Sequence, residues 1–451
     1  MTNTPDEGSR VKVEGSRVRE GGQYPSNLEP RTSNRSSADV RRRSDCRLCG
    51  SRQLTKVISL SPTPPANEFV SDLDRGKPQD HFPLDVHLCA ACGHVQLLDI
   101  VDPERLFRHY VYVSSTSPVF VDHFRRYAEA MLARTGMPPG SRVLEIGSND
   151  GTLLRFFQQA GMRVLGIDPA RRIAEQATRA GIETRPEFFD RPLAERLRAE
   201  GWEARLIAAN NVFAHADDLH TIADGVAHLL APEGLFVFEV SYLLDVVEQT
   251  LFDTIYHEHL SYHTVKPLVG FFRRHGMELV DAVRVDSHGG SLRGIAKRRG
   301  GRWPVQPSVD RLIAEETRLG LHAPEAYQRF FDQIEARKRE LSVLLARLKA
   351  EGKRIIGFGA PAKATTLMCH FGLGADALDY IIDDSPLKQG LYTPGHHIPV
   401  VPSSWLADPA RRPDVALILA WNFAGPIMRK HQAFREGGGT FIVPLPTVEV
   451  Y

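Results

Sequence analysis

The chain has 451 residues, 42% of them hydrophobic, with 56 Lys and Arg against 55 Asp and Glu and a formal charge of +1. That length exceeds one ordinary core and predicts two to four domains, while the near-neutral balance supplies no field to draw nucleic acid or an anionic membrane. No stretch reaches the ~18 uninterrupted apolar residues of a membrane helix, and the N-terminus lacks the apolar core of a signal peptide, so a cytoplasmic protein is expected.

Residues 1–44 are rich in Ser, Arg, Gly, Glu and Asn and poor in aromatic and branched side chains. Such a segment buries too little apolar surface to offset its ordering entropy, so it reads as a disordered tail. Its Arg41-Arg42-Arg43 run reads as solvated, with anion binding as the alternative.

Residues 45–117 form a small, proline-interrupted region holding four of the five cysteines, with Cys369 standing apart. Cys46-x2-Cys49 and Cys89-x2-Cys92 have zinc-knuckle spacing, and Gly50 and Gly93 relieve each tight turn. Four thiolates complete a tetrahedral Zn2+ and leave no open position, which predicts a structural metal. A redox dithiol is the rival reading, and His94 reads as a bystander because four cysteines suffice.

From 118 to 300 strands alternate with helices. "SRVLEIGSNDGTLLRFFQQAGMRVLGIDPA" (141–170) reads as strand, glycine turn, helix, strand, and "ARLIAANNV", "IADGVAHLLAP" and "GLFVFEVS" continue the pattern. This predicts an α/β domain with a parallel sheet. The amphipathic pattern of 323–353 predicts a long helix. With "RIIGFGAPAKATTLM", "LDYIIDDSP" and "DVALILAW", the region 301–451 then reads as a second α/β unit.

The two glycine turns differ. In the first, Glu145, Gly147, Asn149 and Gly151 close a strand, and Asn149 stands where a dinucleotide turn needs its second glycine. That glycine lets backbone approach a pyrophosphate, so its absence fits a ligand without phosphate there. Asp168, about 20 residues on, is placed to accept from a ribose diol. In the second, Gly357, Gly359 and Ala362 satisfy G-x-G-x-x-[G/A], with Pro361 and Lys363 at the following helix start and Asp383 and Asp384 ending the next strand. Helix amides beside a lysine suit a diphosphate, from either a nicotinamide cofactor or a nucleotide substrate.

The first turn resembles the opening motif of class I S-adenosylmethionine-dependent methyltransferases. In that fold Asn210 and Asn211 of "AANNVFAH" fall where the methyl-donor pocket is lined. The chain from Cys46 onward resembles the nucleotide-sugar C-methyltransferase family: the two knuckles, "YVYVSSTS" (110–117), "EIGSNDGTLL", "NNVFAH", "FDTIYHEHLSYH" and "GFGAPAKATTL" with "IIDDSPLKQGLYTPGHHIPV" occur in that order.

The resemblance implies a class I methyltransferase Rossmann-like domain between a small N-terminal zinc domain and a C-terminal Rossmann-like domain. It implies methyl transfer from S-adenosylmethionine to a carbon beside the ketone of a nucleotide-diphosphate keto-deoxysugar. His259 of "YHEH" would remove the carbon-bound proton, Glu258 and Tyr256 would orient it or stabilise the enolate, and Tyr112, with Tyr110 as substitute, would approach from the other side. Gly359, Ala360, Pro361, Lys363 and Asp383 would hold the nucleotide diphosphate. Alternatives are methylation of a sugar hydroxyl or amine, a nicotinamide-dependent sugar oxidoreductase, and a non-catalytic zinc scaffold binding nucleotide sugars. No nucleic-acid or membrane partner is expected, and a monomer or homodimer is.

The octet "YHEHLSYH" (256–263) carries three histidines. A metal site fits it poorly, since Glu258 precedes the i, i+4 pair His259 and His263 instead of lying between them as H-E-x-x-H requires. A neutral imidazole can accept a proton near physiological pH, and His257 and His263 read as supporting residues.

Overall fold

The computed structural model describes residues 40–107, 118–287 and 289–451. Tyr110, Tyr112 and the first 39 residues lie outside the described residues. The described residues open with β1 (Val40–Arg42), followed by β2 (Leu54–Thr63), β3 (Phe82–Cys89), β4 (Val95–Leu97) and β5 (Asp99–Val101). β1 pairs antiparallel with β5, so the tail assigned to residue 44 gives way to strand at Val40. Its arginines are paired rather than free: Arg42 reaches Asp99 at 2.6 Å, and Arg41 and Arg43 both bind Asp217. Those carboxylates lie far along the chain, where local composition cannot reveal them.

The middle region supplies β6 (Arg142–Ile146), β7 (Arg163–Ile167), β8 (Thr184–Arg185), β9 (Ala204–Asn210) and β10 (Leu230–Ser241), then β11 (Ser261–Tyr262), β12 (Met277–Val285) and β13 (Ser291–Arg298). Seven of these form one sheet in the order β12-β13-β10-β9-β6-β7-β8. The five from β10 to β8 are parallel, and β13 and β12 add antiparallel neighbours. Parallel strands covered on both faces need apolar residues at successive positions. Leu144, Ile207 and Phe238 accordingly join one core, and Val143, Leu206 and Val237 the other. The helix Pro307–Leu319 buries Val309 and Leu312 in that first core and packs on β12, so the middle layer extends past residue 300.

β11 leaves this sheet. It pairs with β4, placing Ser261 opposite Gln96 and Tyr262 opposite Val95, and completes a four-stranded sheet of order β11-β4-β3-β2. The end of the octet is therefore a strand of the cysteine-bearing region.

The helix Pro324–Ala350, with Pro at its first turn where a missing N–H costs nothing, leads to the last unit. β14 (Ile355–Phe358), β15 (Ile381–Ile382), β16 (Val400–Val401), β17 (Val415–Ile418), β18 (Thr440–Val443) and β19 (Glu449–Val450) form a sheet of order β16-β15-β14-β17-β18-β19. All but β19 are parallel. Strand order reverses between β14 and β17, the position where open α/β sheets bind ligands. One core joins Ile58 and Leu84 of the N-terminal sheet, Phe252 and Ile255 before the octet, Phe330 and Ile334 of the long helix, and Leu367 and Phe371 of the last unit.

Candidate active site

After β6 the chain turns through Gly147 (φ 68°), Asn149 (φ 50°) and Gly151 (φ 74°). A side chain on Gly147 would place its Cβ 2.1 Å from Val212 Cγ2, so this position needs glycine for space as well as for backbone conformation. Asp168, at the end of β7, clasps the turn: its carboxylate accepts from the amides of Asn149 at 2.8 Å and Ala170 at 2.9 Å. Glu145 and Asn210 are buried side by side at the same sheet edge, with Asn210 Nδ2 donating to Glu145 Oε1 at 3.3 Å. Glu145 Oε2 and Asn210 Oδ1 have no hydrogen-bond partner among the described residues, and burial pushes the Glu145 carboxyl well above the carboxylate range. Buried polar atoms left open in this way are matched by a ligand rich in donors, such as the amino-acid end of S-adenosylmethionine. Asn211 (φ 54°) follows, its amide donating to the Glu239 carbonyl at 2.8 Å.

The octet's histidines have separate surroundings. His257 Nε2 donates to the Pro83 carbonyl at 3.3 Å and His263 Nε2 to the Phe213 carbonyl at 3.2 Å, and both rings are fully buried. His259, partly buried, donates from Nδ1 to the Thr254 carbonyl at 2.7 Å. Its Nε2 therefore carries the lone pair, which accepts from the Tyr256 hydroxyl at 3.1 Å. The Tyr256 and His259 rings lie 4.1 Å apart between centroids. Burial lowers His259 to about 4, so it is neutral at physiological pH. Glu258 is buried and accepts from Asn67 Nδ2 at 2.7 Å, a residue of the cysteine-bearing region.

His215 was not singled out in the sequence. Its ring meets that of His259 edge-on, 4.9 Å between centroids, from the loop after β9. Its only signal was its place as the last residue of "NNVFAH".

Cys46, Cys49, Cys89 and Cys92 present four sulfurs within 4.8 Å of one another, with Cys46–Cys92 and Cys49–Cys89 each at 3.6 Å. A tetrahedron with Zn–S bonds of ~2.3 Å has sulfur–sulfur edges of ~3.8 Å, so the set fits zinc. Among the described residues no other group of three metal-ligating side chains converges. His94 Nε2 instead meets Ser261 Oγ at 3.2 Å.

In the second turn Gly359 (φ 87°) lies against Ala420, whose Cβ an added side chain would approach to 2.5 Å. Asp383 clasps it as Asp168 clasps the first, accepting from Ala360 N at 2.7 Å and Ser385 N at 2.8 Å. Lys363 sits with Nζ 3.4 Å above the centre of the Trp421 ring. The Trp421 indole donates to Asp253 at 2.6 Å, and Asp253 is the charge opposing Lys363. Burial lowers Lys363 to about 8. Sequence alone placed Lys363 at a helix start. It did not place Trp421 or Asp253 beside it.

Three family models match. One described as a C-methyltransferase C-terminal domain covers residues 286–446, one whose description proposes a zinc binding domain covers 46–107, and a methyltransferase domain covers 121–282. C-methyltransferase NovU of Streptomyces niveus is 38% identical over 413 residues, 91% of this chain and 97% of its own length. Among solved structures, an S-adenosylmethionine-dependent methyltransferase from Clostridium acetobutylicum aligns over 40% of this chain and 92% of its own, at 13% identity and a TM-score of 0.33. The magnesium protoporphyrin IX methyltransferase of Synechocystis aligns over 42% and 86%, at 14% identity and a TM-score of 0.31. Those two scores are too low to bear on function.

Proposed function

The chain belongs to the C-methyltransferase family, and from that premise we propose that it methylates the carbon beside the ketone of a nucleotide-diphosphate keto-deoxysugar, with His259 as the base. S-adenosylmethionine supplies the methyl group as an electrophile on a positive sulfur, which leaves as a neutral thioether. A sugar carbon becomes a nucleophile only once its proton is gone, and a C–H next to C=O is acidic enough for an imidazole held close to it. The proton passes to His259 Nε2, the electron pair of the C–H bond enters the enolate, and that carbon takes the methyl group.

The single observation that carries the base is the tautomer. The Thr254 carbonyl holds the proton on Nδ1, leaving Nε2 bare and directed at Tyr256. Burial keeps the ring neutral, and the Tyr256 hydroxyl lies where it can yield to the substrate and donate to the enolate oxygen. His215 meets the His259 ring edge-on, and Glu258 precedes His259 in the chain, its carboxylate held by Asn67. Glu145, Gly147, Asn149, Gly151, Asp168, Asn210 and Asn211 would hold the methyl donor. The second turn, with Gly359, Ala360, Pro361, Lys363 and Asp383, would hold the diphosphate at the strand-order reversal. There Asp383 already engages the Ala360 amide, so its part is to shape the turn.

Incubating keto-sugar nucleotides with the enzyme in heavy water tests the base. Exchange of the proton beside the ketone is expected for the wild type and is expected to fall at least ~100-fold in His259→Gln. Methyl transfer without any exchange, or onto oxygen, would falsify the enolate reading.

A further inference from the structure

Arg47 stands inside the first knuckle, between Cys46 and Cys49, and is fully buried. Its side chain does not turn toward solvent or toward the sulfurs. Nη1 donates to the carbonyl of Leu97 and, at 3.3 Å, to that of Leu260, the residue directly after His259. Nε pairs with Asp217 at 3.1 Å, two residues after His215. Gln96 holds the same guanidinium and the Arg47 amide through Oε1, at 3.2 and 3.0 Å.

Other contacts join the same two loops to the same region. The Leu260 carbonyl also accepts from Leu97 N at 3.0 Å, Ser261 N donates to the Ala214 carbonyl at 3.1 Å, and His94 meets Ser261 Oγ. Asn67 holds Glu258. The loops carrying His215 and His259 are thus pinned to each other and to the cysteine-bearing region by several contacts, among which the buried Arg47 guanidinium reaches both loops from inside the knuckle.

We propose that Arg47 is a positioning residue for the methyl-transfer site, and that the zinc knuckle serves to hold it where it locks the His259 loop against the His215 loop. The inference rests on His259 being the base. A guanidinium suits the task because its fixed fork reaches two carbonyls and a carboxylate at once, which a single ammonium cannot. Burial makes the arrangement demanding, since a buried charge that loses its partners is costly, so the loops are held in one register. The four-cysteine metal fixes the backbone on either side of Arg47.

The test uses the zinc-loaded full chain labelled with 15N-histidine, comparing wild type, Arg47→Lys, Asp217→Asn and His259→Gln. In the wild type the His259 ring is expected in one tautomer, with Nε2 bare. Both positioning variants should move its nitrogen signals toward the averaged values of free imidazole, Arg47→Lys more than Asp217→Asn. They should also slow deuterium exchange of uridine and thymidine diphosphate keto-deoxyhexoses, by about 100-fold in Arg47→Lys, as small misplacements of a reacting group do. Zinc content and S-adenosylmethionine affinity should stay within about twofold of wild type. Unchanged His259 signals and exchange in a folded, zinc-bound Asp217→Asn or Arg47→Lys would overturn the proposal. If His259→Gln itself exchanges at the wild-type rate, the base assignment fails instead, and the tautomer signals still decide whether Arg47 orders the loop.

Discussion

His257 and His263, the second and last residues of the octet, are both sealed from water, and burial lowers each to about 4. An exposed histidine in the unfolded chain titrates near ~6.5. Between those values the unfolded state binds more protons than the folded one, so stability rises with pH across the window. Their stabilising balance is complete above about pH 6.5 and is lost as pH falls toward 4. Each contributes up to about 3 kcal/mol to that loss. Urea unfolding at pH 7 and pH 4.5 should show the decline, and it should be shallower in His263→Gln than in wild type, whatever the variant's absolute stability. Identical slopes would mean that His263 charges freely in the folded protein. All three octet histidines donate one ring nitrogen to a backbone carbonyl, but the second nitrogens of His257 and His263 are buried, whereas His259 is only partly buried and turns its second nitrogen to the Tyr256 hydroxyl.

At the scale of elements, the two strand–turn–helix units share one device. An acid at the end of the next strand accepts from a turn amide, Asp168 from Asn149 and Asp383 from Ala360. Those units were legible because glycine spacing, buried strand runs and the long amphipathic helix are local patterns. The two-residue β11 and three-residue β1 were not: each exists through pairing with a distant strand, β4 and β5, and so leaves no periodicity of its own. The same holds for His215 and Arg47, whose partners are set by that pairing. Gly147 gives the sharpest test of the first turn. In Gly147→Ala the added methyl meets Val212, and the left-handed backbone costs about 1–2 kcal/mol more, so S-adenosylmethionine affinity should drop at least ~10-fold by calorimetry with zinc content unchanged. Wild-type affinity would show that this turn does not cradle the methyl donor.

Across the whole molecule, the cysteine-bearing region is too small to carry a core by itself, and its apolar strand faces are spent on its neighbours. Ile58, Leu60 and Leu84 share a core with Phe252 and Ile255 of the middle region and with Leu367 and Phe371 of the last unit. Polar contacts follow the same routes: the Thr365 hydroxyl donates to the Ala66 carbonyl at 3.0 Å, Ser61 N donates to His370 at 3.1 Å, and Val70 and Tyr392 form a β-bridge. The last unit meets the middle one through Lys363, Trp421 and Asp253. Metal binding by a four-thiolate site is worth of order 10–16 kcal/mol, comparable with the whole folding free energy of a domain. Because the region it braces is shared, that energy should be felt far from the cysteines. Calorimetry of the zinc-loaded protein should therefore give one principal transition. Chelation should lower that transition as a unit, by about 10 °C or more, with the Trp421 fluorescence change, read in a variant whose Trp202, Trp303 and Trp405 are replaced by Phe, moving with it. A Trp421 signal that keeps its temperature after zinc removal would mean that the last unit folds independently, and that the shared core is contact without coupling.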